Sequence, residues 1–232
     1  MMLKKCCGAV LLFSVVTLQA WAHDVWLEPA EKEMRLIFGH PGEPESYDPG
    51  HASEVYGISR EGKRQKIGSH VQGAELSVRP ADDTAVIIVD FDHGIWTETA
   101  DEQNVNKPKS EVPGYLSSAH ERKLHKTLLS WGEGAGRPAG VLLEIVPLAN
   151  PLAMKPGDEL PVQLLYDSRP LVDAEIEIMG SMDLYITDAE GKATLPISEP
   201  GFQYIQAMYR VPLDNDPDTD ELFLSANLTF TL

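Results

Sequence analysis

The sequence predicts a mostly β protein in two parts: a β-rich N-terminal domain with one helix, followed by an immunoglobulin-like β-sandwich. Three observations predict it. Short runs of β-branched and aromatic residues alternate with Gly, Pro, Asp and Asn clusters along most of the chain. A single stretch, Ser117–Trp131, carries helical spacing. Beyond a glycine-rich reset at residues 132–139, strand candidates follow one another closely with turn signals between them.

Taken in order, residues 1–22 read as a secretory signal peptide. Lys4 and Lys5 form a basic start, Cys6 to Leu18 an apolar run, and Ala20-Trp21-Ala22 the small residues that a signal peptidase reads. The apolar run, about 13 residues, is too short to cross a bilayer core of roughly 30 Å, and no later stretch is apolar enough to insert. Cleavage is expected after Ala22, which makes the mature chain periplasmic. Domain 23–131 opens with strand candidates at Met34–Phe38, Glu54–Ser59 (closed by the turn Arg60-Glu61-Gly62-Lys63), Ala74–Val78 and Thr84–Phe91. Ala85–Val89 is apolar at consecutive positions, so this strand is expected to be central and buried on both faces. Thr97–Pro113 is polar, without period, and reads as a loop. Ser117–Trp131 reads as the helix, with Ser117 or Ser118 as cap and Leu124, Leu128 and Trp131 on one side. Residues 132–139 read as a linker. The sandwich, 140–232, has about seven candidates: Val141–Val146, Leu160–Tyr166, Ala174–Met179, Leu184–Thr187, Ala193–Ile197, Phe202–Tyr209 and Leu222–Leu232.

Charge and cysteine usage exclude several functions. The chain carries 19 basic and 36 acidic residues, a net charge of −17. Such a surface repels nucleic acid and favours cations and basic partners. Cys6 and Cys7 are its two cysteines and both leave with the signal peptide, which removes thiolate metal sites and thiol catalysis.

Several segments are similar to a known family: "AHDVWLEP" at the start of the mature chain, "GHPGE" at 39–43, "GIWTET" at 94–99, "KPKSEVPG" at 107–114, "LEIVPLANP" at 143–151 and "TDAEGKATLPISEPGFQYIQA" at 187–207. The chain resembles a bacterial periplasmic family, a domain of unknown function, whose members are described as the periplasmic component of cobalt or nickel uptake systems. The resemblance covers nearly all of residues 22–232. It implies a two-part β protein that passes nickel or cobalt to the components of an inner-membrane transporter.

The residues suggest how a metal could be held. If His23 begins the mature chain, its α-amine and Nδ1 can close a compact chelate on Ni(II) or Cu(II), which favour nitrogen donors. The amine, with a reference pKa of about 7.7–8.0, binds metal at neutral pH after losing a proton. Partners are sought among the other histidines. His40 lies on the tight loop Gly39-His40-Pro41-Gly42, and His93 follows Asp92 at the expected end of a buried strand. The predicted ligand set is therefore His23, His40 and His93, with His51 and His70 weaker candidates. His120 and His125, five apart, point about 140° apart on a helix and read as surface histidines. The acidic run Asp214–Glu221 lacks the glycine and closing glutamate of a calcium loop. No Gly-x-Ser-x-Gly elbow or His-Glu-x-x-His pair is present. The expectation is a metal-binding protein that is not an enzyme. Two alternatives remain open: copper binding or copper-dependent oxidation through the same histidine, and a metal-free adhesion or scaffold module.

Overall fold

The structure is a computed structural model that describes residues 23–232, so the predicted signal peptide and its cleavage point lie outside the described residues. Along the chain the strands are β1 (Asp24–Ala30), β2 (Glu33–His40), β3 (Glu43–Glu45), β4 (Ala52–Ser59), β5 (Arg64–Gln65), β6 (Gly68–Gln72), β7 (Glu75–Arg79), β8 (Thr84–Glu98) and β9 (Asn104–Val105). They continue as β10 (Ser117–Leu128), β11 (Leu143–Pro147), β12 (Glu159–Tyr166), β13 (Arg169–Pro170) and β14 (Glu175–Ile178). The chain closes with β15 (Leu184–Ile186), β16 (Lys192–Pro196), β17 (Phe202–Pro212) and β18 (Glu221–Thr231). The fold is mostly β, as the sequence predicts, and all seven strands expected beyond residue 140 are present.

These strands form three layers. The central sheet runs β15-β14-β17-β18-β10-β8-β4-β5, with β9 added beside β8. A front sheet, β1-β2-β7-β6 with β3 on β2, covers one face, and a back sheet of β11, β12, β13 and β16 covers the other. Strand β8 shows why both faces close. Val86 and Ile88 join the core beneath the back sheet, whereas Ile87, Val89 and Phe91 join the core beneath the front sheet. Alternate residues of a strand point to opposite faces, and burying each of these side chains stabilises the fold by roughly 1.5–3 kcal/mol. The expectation that Ala85–Val89 is central and doubly buried is met.

The helix predicted over Ser117–Trp131 is a correction: Ser117–Leu128 is β10, which pairs antiparallel with β8 and parallel with β18. The spacing of four between Leu124 and Leu128 fits a helix turn and two strand repeats equally well. What conceals the alternation is Lys126, which shares their face and pairs, fully buried, with Glu144. Glu144 also accepts from the Ala139 and Gly140 amides, at 2.7 and 3.0 Å. The other face of β10 carries Lys123, His125 and Thr127, all buried. Among the described residues, no helix is long and apolar enough to cross a membrane.

Candidate metal centre

One end of the front sheet gathers the first residue after the predicted cleavage point with two side chains of the β2–β3 hairpin. Strand β1 pairs with β2 in the register Asp24↔Gly39, so one step further sets His23 opposite His40. Phe38 and His40 share a face of β2, and Glu45 of β3 lies opposite Phe38. The result is a compact group. The His23 and His40 ring centroids are 4.7 Å apart, His23 Nε2 is 2.9 Å from Glu45 Oε1, and donor atoms of all three residues lie within 4.8 Å of one another. Gly39 makes this possible: with φ at +124°, a Cβ there would stand 2.6 Å from the Glu43 carbonyl oxygen.

The position of His23 is fixed from the next residue inward. Asp24 is buried, and its carboxylate accepts from the Gln206 amide at 2.6 Å and the Ser225 hydroxyl at 3.2 Å. The Tyr204 hydroxyl also donates to it, and burial and the Asp24 charge push that phenol well above its usual range. Strand β1 is an edge of its sheet, whose free backbone groups would be costly to bury unpaired. Side chains of the central sheet satisfy them: Asn227 donates to the Val25 carbonyl at 2.9 Å, and the Leu27 N–H donates to His125 Nε2 at 3.1 Å. The front sheet is thus pinned to the central one along β1, beginning at the residue after His23.

His93, the third predicted ligand, lies next to this group but outside it. The Phe38 ring touches both, at 5.5 Å from the His23 ring and 5.0 Å from that of His93. Trp96 covers His93 at 5.0 Å, and His51 approaches it at 6.0 Å. The expectation that the strand ends before Gly94 is corrected, since β8 continues to Glu98 through a bulge in which the register slips between Glu121 and Arg122. A bulge re-aims a side chain within a continuing strand. Here it places His93 Nδ1 2.9 Å from Glu121 Oε2. Burial raises the Glu121 carboxyl, but its bond to His93 and the ammonium of buried Lys123 outweigh this and hold it below the usual range. A carboxylate on one imidazole nitrogen is how metal-binding histidines are commonly oriented.

The remaining histidines have other tasks. His70 is exposed, 3.6 Å from Glu33. His120, expected on a helix surface, is on β10 and 2.7 Å from Asp92, and His125, given the same expectation, is buried under β1. Burial holds the His23 imidazole below its ordinary pKa, the Glu45 carboxylate opposes this, and His40 adds to the lowering. His23 is accordingly neutral at pH 7, the form that binds metal. Glu45 escaped the sequence reading because Glu43-Pro44-Glu45 has no apolar alternation. The tight Pro41-Gly42 turn gives the signal that finds it, since it folds Glu43 back onto His40 and Glu45 onto Phe38.

Comparison with known proteins agrees with the extent of this fold. A family profile described as a domain of unknown function, DUF4198, matches residues 20–211. An uncharacterized protein of Haemophilus influenzae is 25% identical over 211 residues, which cover 90% of each chain. No solved structure matches the chain. Because the profile takes in the front-sheet histidines and most of the central and back sheets alike, the chain belongs to the DUF4198 family.

Proposed function

We propose that the protein binds a nickel or cobalt ion reversibly in the periplasm and hands it to components of an inner-membrane cobalt/nickel transporter, without turning over a substrate. The observation that carries this reading is the convergence of His23, His40 and Glu45 within 4.8 Å. Metal–nitrogen bonds are about 2 Å long, and the two imidazoles stand close enough to face one ion, with the Glu45 carboxylate beside them. Imidazoles beside a carboxylate suit Ni(II), Co(II) and Cu(II). With side chains 41% and 46% exposed, His23 and Glu45 leave an ion open to exchange with a partner. His93, oriented by Glu121, is the third imidazole of the reading and stands across Phe38.

The test is titration of the mature protein with Ni(II), Co(II) and Cu(II) by calorimetry or chelator competition. Ni(II) or Co(II) is expected to bind, and His40→Ala to weaken binding by at least roughly 10- to 100-fold, the range that losing even an outer partner of a ligand costs. His93→Ala should weaken it less, and His70→Ala should leave it unchanged. Failure of Ni(II) and Co(II) to bind, or indifference to His40→Ala, sinks the reading. Binding of Cu(II) alone would instead assign the same residues to copper.

A further inference from the structure

We infer that the metal site is completed by proteolysis: the peptide bond between Ala22 and His23 must be cut for His23 to bind metal through two atoms. The inference rests on the reading above and specifies how His23 takes part. Its Nε2 lies 2.9 Å from Glu45 Oε1. A neutral imidazole that donates this nitrogen's hydrogen to the carboxylate keeps its lone pair on Nδ1, the nitrogen nearer its own backbone. Nδ1 and the backbone nitrogen of the same residue form one chelate with a single ion, whereas Nε2 cannot. Glu45 therefore acts as the orienting carboxylate of His23, as Glu121 does for His93 through the opposite ring nitrogen.

The backbone nitrogen of His23 decides whether this chelate exists. In the uncut chain it is an amide, whose lone pair is delocalised into the carbonyl. Hydrolysis by a signal-peptidase-class protease adds water across the bond, giving Ala22 a carboxylate and His23 an amine. The amine gives up one proton when it binds the ion. The structure keeps this nitrogen in place through the next residue, because Asp24 is held by Gln206, Ser225 and Tyr204. His40 then supplies the third nitrogen from the facing position. The cut form thereby binds the ion more tightly than the precursor, which keeps the two imidazoles but lacks the amine.

The experiment compares two forms of the full mature chain, one beginning at His23 and one retaining Ala22 before it. Both are verified by mass, and matched thermal melts show that both fold. Each is titrated with Ni(II) and Cu(II), with His40→Ala and Glu45→Gln made in the His23-first form. Losing the amine should weaken binding by roughly 100-fold, the lower end of what a linked second contact adds. The Cu(II) spectrum should shift as one nitrogen leaves the coordination shell, and Glu45→Gln should weaken binding in the cut form. Equal affinities and spectra for the two forms overturn the inference while leaving the His23–His40 site standing. Absence of binding by both forms removes the site and the inference together.

Discussion

A Cβ at Gly39 would meet the Glu43 carbonyl oxygen at 2.6 Å and the Glu45 amide nitrogen at 3.0 Å, in a backbone conformation that L residues avoid. Gly39→Ala must therefore push β3 away from β2, and β3 carries Glu45. A strained position of this kind costs about 1–3 kcal/mol. The expected outcome is a lower urea midpoint together with weaker Ni(II) binding. An alanine at Gly42, where nothing stands within 4 Å of the added carbon, meets only the conformational penalty. A chelator-competition assay on the two variants separates the effects, because only Gly39→Ala displaces Glu45. At this scale the sequence was informative. The expected cut site and the tight loop single out His23 and His40, which the structure sets side by side, whereas Glu45 requires the hairpin register, which the short polar β3 hides.

Strand β1 depends on a histidine that the sequence misassigns. His125 is fully buried, and burial pushes its pKa down to about 4 even though the bond to Asn227 raises it. Nε2 accepts from the Leu27 N–H, so the neutral ring holds the edge of β1 and protonation removes the acceptor. The folded pKa lies below the unfolded value of about 6.5. Between these values the unfolded chain binds more protons, so stability falls as pH drops from about 6.5 toward 4 and is retained above that window. The loss attributable to His125 is roughly 2 kcal/mol between pH 7 and pH 4.5, readable as a fall in urea midpoint over that range. A concurrent rise in exchange of the Leu27 amide would locate it at β1. That this histidine was read as a helix-surface residue follows from its strand. Every residue from Lys123 to Leu128 is buried, with Lys126 on one face and Lys123 and His125 on the other, so polar side chains interrupt both apolar faces. No hydrophobic periodicity can be read where ion pairs and hydrogen bonds replace apolar contacts.

Across the whole molecule, the segment 132–139 separates the two halves in sequence, yet β18 lies parallel against β10 from Ala119↔Glu221 to Thr127↔Thr229. Strands from both sides of that segment therefore belong to one hydrogen-bonded sheet, and Leu124, Leu228 and Leu164 share one core. The chain from His23 onward is expected to unfold in one cooperative transition, with coincident changes in far-UV circular dichroism and tryptophan fluorescence. A fragment ending at residue 139 is expected to show no such transition, because β10 would expose an unpaired edge and its buried Lys126 and His125 would lose Glu144 and Asn227. Two separate transitions in the intact chain would refute this.

The parallel contact also orders events in time. Strand β18 follows every other strand in the chain, yet it sits between β17 and β10 in the middle of the central sheet. While the polypeptide is being made, the two flanks of that sheet have nothing to join them until β18 is synthesised. The central sheet is therefore completed only once β18 is in place, and the platform on which His23 meets His40 is finished with it, because Asn227 of β18 holds the Val25 carbonyl.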